Sequence, residues 1–144
     1  MICGAAMRDP QEIISAARQG LAPPDWRVFT GKRSVIGGFF RGTSHDPDPL
    51  LVISSGGVVE YVSEKKPLAV VAFRDLSAMR LRAKATATTT SNSSFADAHL
   101  FVWLDLSYGD GRKQEWKTAS FRNNLLVLQA VIETYAVYRA QPGP

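Results

Sequence analysis

The sequence predicts an α+β domain: an antiparallel, strongly bent sheet or barrel of six or seven strands, capped by one long C-terminal helix and preceded by a short N-terminal helix. Three observations carry this reading. From Trp26 to Thr118 most of the chain falls into strand-length runs rich in β-branched and aromatic residues, divided by clusters of Gly, Ser, Asp and Pro. After Thr118 the apolar residues recur at alternating steps of four and three, the period of an α-helix. The 144 residues, 45% hydrophobic and 21% charged, have the size and balance of a single globular domain, which excludes disordered, collagen-like and disulfide-scaffold classes.

Asp9-Pro10-Gln11-Glu12 combines an N-cap aspartate, a proline at the first helical position and a glutamate three residues after the cap, so a helix with a reciprocal side-chain cap is expected to start here. Ile13, Ile14 and Ala17 form its apolar stripe and Gly20 ends it. Ala22-Pro23-Pro24 is a stiff spacer. Residues 1–24 are therefore read as an appendage, 25–140 as the domain and 141–144 as a tail.

Trp26 to Thr30 and Ser34 to Phe40 read as extended, with Gly37-Gly38 marking a bulge or bend in the second run, and Gly42 to Pro49 reads as a polar loop. Leu50 to Ile53 and Val58 to Val62 flank Ser54-Ser55-Gly56-Gly57, a hairpin whose glycines are expected to supply positive φ. Leu68 to Phe73 is a further apolar strand. Met79 to Thr88 alternates, with Met79, Leu81, Ala83, Ala85 and Ala87 on one face and Arg80, Arg82, Lys84, Thr86 and Thr88 on the other. A Ser/Thr-rich loop from Thr89 to Asp97 leads to a long strand, Ala98 to Tyr108, with Leu100, Val102, Leu104 and Leu106 inward. Gly109-Asp110-Gly111 turns it into Arg112 to Thr118. Phe121, Leu125, Leu128, Ile132 and Tyr135 then mark the buried stripe of a helix from about Ser120 to Arg139, with Ser120 or Thr118 as its cap.

This order resembles the pleckstrin-homology (PH) superfold, particularly its bacterial PH-like and GRAM-like domains. The resemblance rests on Leu51-Val52-Ile53 with Gly57-Val58-Val59-Glu60-Tyr61, on Val70 to Leu76 leading into Met79-Arg80-Leu81, and on the final hairpin and helix from Leu100 to Tyr138. It implies a non-enzymatic interaction module that binds a protein partner or, weakly, an anionic membrane surface. Some relatives hold phosphoinositide headgroups through basic residues around the first strand-to-strand loop, which makes Lys32 and Arg33 candidate anion ligands. The lysine followed by Arg-x-Arg that accompanies such binding is not reproduced, because Ser34 to Phe40 is uncharged and only Arg41 follows.

The net charge of +4 has a location. Between Glu64 and Lys84 stand Lys65, Lys66, Arg74, Arg80, Arg82 and Lys84 against two acids, Glu64 and Asp75, and elsewhere the two signs balance. Arg80, Arg82 and Lys84 share one face of one strand at intervals of roughly 6.6–7 Å. Such a row binds phosphates or acidic side chains, or else keeps a solvated strand face unpaired. A nucleic-acid-binding domain using this row is the alternative function, and a small enzyme with an unrecognised site is a third. Phe101 and Trp103 point away from Leu100, Val102 and Leu104, so this strand is apolar on both sides. The N-terminal helix or a loop is expected to cover the second side; uncovered, it would serve self-association or a partner. Trp116 is expected to pack against the last helix rather than to stack on a base.

Other motifs fail on chemistry. Gly31-Lys32-Arg33-Ser34 lacks the upstream glycine of a phosphate-binding loop, and Arg33 separates the lysine from the hydroxyl. Ser44-His45-Asp46 sets three triad residue types side by side, where a triad needs convergence beside an oxyanion site, so it reads as a turn. His45, His99 and the single Cys3 form no metal-ligand pattern, and no cofactor is expected. A lone cysteine and the lack of a secretory or membrane-spanning segment lead to a cytoplasmic expectation.

Overall fold

A computed structural model of the chain describes residues 7–31, 47–89, 96–119, 121 and 125–141. They form a short helix, α1 (Pro10–Arg18), seven strands, and a C-terminal helix, α2 (Leu125–Ala140). The strands are β1 (Arg27–Thr30), β2 (Leu50–Ser54), β3 (Gly57–Tyr61), β4 (Ala69–Ala72), β5 (Leu76–Thr89), β6 (Ala96–Tyr108) and β7 (Lys113–Trp116). They make two antiparallel sheets in sequential order, β1-β2-β3-β4 and β5-β6-β7. The α+β class is as expected, while the described strands form two separate sheets and no closed barrel. The expected strand Ser34 to Phe40, Lys32, Arg33 and the cap Ser120 lie outside the described residues.

The main core lies between the two sheets and α2. Leu51, Ile53, Val58 and Val71 come from the first sheet, and Val102, Leu104, Leu106 and Trp116 from the second. Val127, Leu128, Ala130, Val131 and Tyr135 come from α2. A single 3-10 turn, Phe73–Asp75, connects the sheets and drives Phe73 into this core, edge-on to Tyr135 with centroids 5.4 Å apart. The apolar run expected through Phe73 thus stops being a strand at Ala72 because the chain must turn from one sheet to the other. Trp116 is buried here, as its inward position predicts.

The first sheet is covered on its other side as well. Ile13 and Ile14 of α1 pack on Leu50, Val52 and Val59, with Met7, Ala17, Trp26, Tyr61 and Leu68 around them. β2 is consequently buried at every position. The appendage is docked on β2 and β3, so of the two covers expected for Phe101 and Trp103 the helix is not the one, because its apolar stripe meets the Leu50, Val52 and Val59 row instead; the connections 32–46 and 90–95 lie outside the described residues. The start of α1 also differs. The Asp9 side chain makes no cap bond, its carbonyl accepts the Ile13 N–H at 3.1 Å, and the fixed φ of Pro10 sets the first turn. Gly20 ends the helix in the left-handed region, φ 73°.

The glycines of the first hairpin act differently from the expectation. Positive φ is adopted at Gly20 and Gly111 and not at Gly56 or Gly57. Gly57 is small for another reason: a Cβ there would run into the Val71 carbonyl oxygen and the Met7 sulfur. Neighbouring Glu60, 1% exposed, turns its carboxylate to the other end of the core and accepts the Ala119 N–H at 3.1 Å on both oxygens. It ties β3 to the segment between β7 and α2.

Of the stripe expected for α2, Leu128 and Tyr135 are buried and Phe121 and Ile132 pack against the core, whereas Leu125 is exposed; Val127, Ala130 and Val131 widen the buried side. Apolar residues surround most of this helix, so period alone does not select its buried side. Tyr135 donates its hydroxyl to the Leu76 carbonyl at 3.4 Å, and Arg139 donates to the Ser77 carbonyl at 3.1 Å, which fixes α2 on the start of β5.

Candidate functional site

The outer face of β5-β6-β7 is the one sheet face that no described element covers. Its make-up follows from two alternations and one register. On β5, Met79 and Leu81 lean on the core, so Arg80, Arg82 and Lys84 point outward and are exposed. On β6, Val102, Leu104 and Leu106 are buried, so Phe101, Trp103 and Asp105 point outward. On β7, Trp116 is buried and Lys113 and Glu115 are exposed, as is Lys117 just after it. The register sets Arg80 opposite Asp105, Arg82 opposite Trp103, Lys84 opposite Phe101 and Thr86 opposite His99, while Asp105 faces Glu115 and Ser107 faces Lys113. Two ladders that are separate in the sequence become one surface, cations on β5 beside rings on β6, with cross-strand neighbours about 5 Å apart.

The surface has two halves of different electrostatics. In the proximal half, a shallow open depression is lined by Arg80, Arg82, Asp105, Lys113 and Glu115, so the charges largely offset one another. Asp105 accepts the Trp103 indole N–H at 2.9 Å and stands 3.7 Å from the Arg82 guanidinium, both partners half-exposed. That contact orients the arginine and the ring, and in water it contributes little to stability. In the distal half, outward from Arg82 and Trp103, which Asp105 holds at the boundary, the face carries Lys84 and Lys117, and the pairs Lys84–Phe101 and Thr86–His99 include no carboxylate; the next outward position on β6 is Asp97, opposite Thr88. The Lys117 ammonium lies 5.7 Å from the centre of the Trp103 ring, and His99 stacks on Phe101 at 6.3 Å with 29° between planes. Phe101 is 43% exposed.

The distal half is also a two-stranded ribbon. β7 pairs with β6 only from Leu104 to Ser107, so β5 and β6 continue past the third strand and past the core. Leu100, expected to point into the core, is 51% exposed for this reason, and Ala83, Ala85 and Ala87 are exposed with it. At the opposite end, Gly111 at φ 95° makes the β6–β7 turn. Asp110 there accepts the Arg112 backbone N–H at 3.0 Å and its guanidinium N–H at 2.7 Å. The backbone bond first, and the side-chain bond second, hold the Asp110 carboxyl below its ordinary range. Burial pushes the neighbouring Tyr108 hydroxyl up, against the pull of Arg112.

Of the sequence-derived candidates, Arg80, Arg82 and Lys84 form the expected row on an open face, and Lys32 and Arg33 lie outside the described residues. Lys65 and Lys66, on the turn between β3 and β4, do not line the depression beside that row. Lys113 and Lys117 flank Trp116 in the sequence and lie, as that spacing predicts, on the face opposite its buried ring, whereas the meeting of the cations with Trp103, Phe101 and His99 has no signal in the sequence. Outward alternation on β7 signals the two lysines. The register does not announce itself, because the Ser/Thr-rich connection between Thr89 and Ala96 prescribes no turn type.

Among the described residues no cluster of three His, Cys, Asp or Glu side chains stands close enough to hold a metal ion, and no helix is long and apolar enough to cross a membrane. No protein-family model, curated protein or solved structure matches the chain.

Proposed function

We propose that the chain is a non-enzymatic interaction module of PH-like build, and that its working surface is the outer face of β5-β6-β7, which takes an anionic partner. One observation carries the reading: Arg80, Arg82 and Lys84 are exposed on a sheet face that no described element covers and that gains Lys113 on β7 and Lys117 just after it, five cations against Asp105, Glu115 and, by its register position, Asp97. The PH-like part draws on the element order, four antiparallel strands, then three, then a long helix. An acidic protein segment, an anionic membrane surface and a nucleic acid all demand such an open cationic face. The alternative of a small enzyme would need convergent groups in an enclosed cavity. Asp105 and Glu115 are cross-strand neighbours, but on an open surface between cations.

The test compares the native chain with the triple variant Arg80→Gln, Arg82→Gln, Lys84→Gln. Three probes are used at low salt: a polyglutamate peptide, vesicles containing phosphatidylserine, and a mixed-sequence oligonucleotide. The native chain is expected to bind at least one, and the variant to bind it about ten-fold or more weakly. A native chain that binds none of them, or a variant that binds as well as the native chain, overturns the reading.

A further inference from the structure

We infer that the anionic partner of this face is a single-stranded nucleic acid, with bases on the ring row Trp103, Phe101 and His99 and phosphates on the flanking cations Arg82, Lys84 and Lys117. The inference rests on the reading of the outer face as an anion-binding surface and specifies its ligand.

The rings decide between polyanions. An acidic peptide is satisfied by cations alone, and a membrane interface takes up Trp and Phe side chains that protrude freely, whereas Trp103 is half-buried, bonded to Asp105 and flanked by Lys117. A single strand offers phosphates and unpaired base faces together, and aromatic side chains on an open sheet take up such bases by stacking. The row on β6 has the required spacing. Phe101 and His99 are two residues apart, about 6.8 Å along the strand, and their rings already lie nearly parallel, 29° apart. Trp103 continues the row and is held in place by its bond to Asp105. The register then puts Arg82 beside Trp103 and Lys84 beside Phe101, with Thr86 beside His99, and Lys117 flanks the tryptophan 5.7 Å from its ring centre.

The charge distribution directs the strand to this half. The proximal half pairs its cations with Asp105 and Glu115, which repel a phosphate chain. Farther out, the pairs Lys84–Phe101 and Thr86–His99 set no carboxylate on the face, between Asp105, which holds Arg82 and Trp103, and Asp97, the register partner of Thr88. The distal half also protrudes past β7, so a strand can cross it without meeting another element among the described residues. A duplex has its base faces stacked internally and offers these rings nothing, so the surface distinguishes single from double strands.

The experiment is fluorescence anisotropy with labelled oligo(dT) and oligo(U), which separate DNA from RNA, and with a duplex DNA of equal length, on the full chain. The single strands are expected to bind about ten-fold or more tightly than the duplex. Phe101→Ala is expected to weaken single-strand binding about ten-fold with the salt dependence unchanged. Lys84→Gln is expected to weaken it and to reduce the slope of log affinity against log salt by about 0.7. Both residues are exposed, and an unchanged thermal midpoint confirms that each variant is folded. Equal binding of duplex and single strand, or a Phe101→Ala variant that binds like the native chain, overturns the nucleic-acid assignment. If polyglutamate or anionic vesicles still bind in that case, the anion-binding module stands without it; if no probe binds, both readings fall together.

Discussion

The two sheets begin from the same device, an antiparallel hairpin, and end in opposite states. In the first, β2 is buried at every position, its Leu51 and Ile53 in the main core and its Leu50 and Val52 beneath α1. In the second, β5 and β6 bury one side and leave cations and rings on the other. The difference is written in two strands, an unbroken apolar run on β2, which is covered twice, and strict alternation from Met79 to Lys84 on β5, which is covered once by the described elements. β2 buries apolar side chains on both of its faces, whereas the second sheet keeps cations and rings on a face that no described element covers.

The largest effect on this contrast comes from uncovering the first sheet. Deleting residues 1–24 exposes Leu50, Val52 and Val59 as a contiguous apolar patch, and the truncated chain is expected to self-associate in light-scattering measurements. A truncated chain that stays monomeric would show that α1 is not needed as a cover. Next comes a matched pair of truncations. Leu51→Ala in the doubly covered sheet is expected to cost about 2–5 kcal/mol, whereas Leu100→Ala on the protruding ribbon stays within about 0.5 kcal/mol, both read by denaturant unfolding. Similar costs at the two sites would erase the distinction between the sheets.

A smaller effect tests what ties the first sheet to the helix. Glu60→Ala leaves the Ala119 N–H without its carboxylate, an expected loss of about 1–3 kcal/mol, and Glu60→Gln loses less because its amide oxygen still accepts. The smallest effect belongs to the β6–β7 turn at the edge of the open sheet. Because the folded Asp110 carboxyl titrates below its ordinary range, its contribution is present above the unfolded value and disappears as pH falls through the folded value. The difference in unfolding midpoint between the native chain and Asp110→Asn is therefore expected to be small, positive near neutrality and to vanish in acid. A difference that persists in acid would show that the Arg112 contacts do not act through the carboxylate.

Much of the frame was legible. The hairpins, the period change into α2 and the outward row Arg80, Arg82 and Lys84 all follow from spacing, since side-chain direction along one strand or helix is a property of the local backbone. Three features were not. Val127 and Val131 join Leu128 and Tyr135 in the core while Leu125 stays exposed, because a helix that is apolar over most of its circumference has no preferred side until a sheet is set against it. The burial of Glu60 within an apolar strand needed the Ala119 N–H, 59 residues away in the chain. Leu100 looked like core because its strand alternates correctly, and it is exposed because β7 ends too soon to shelter it.

The sequence by itself therefore determined which residues share a strand or helix face: the cations on β5, the rings on β6, the stripe of α1. The tertiary structure alone decided which faces meet. It put Lys84 beside Phe101 and α1 on Leu50 and Val52, with no described element over the outer face of the second sheet. Periodicity is local, fixed by backbone geometry over a few residues, whereas register and covering depend on contacts between segments whose partners are chosen by the packing of the whole chain.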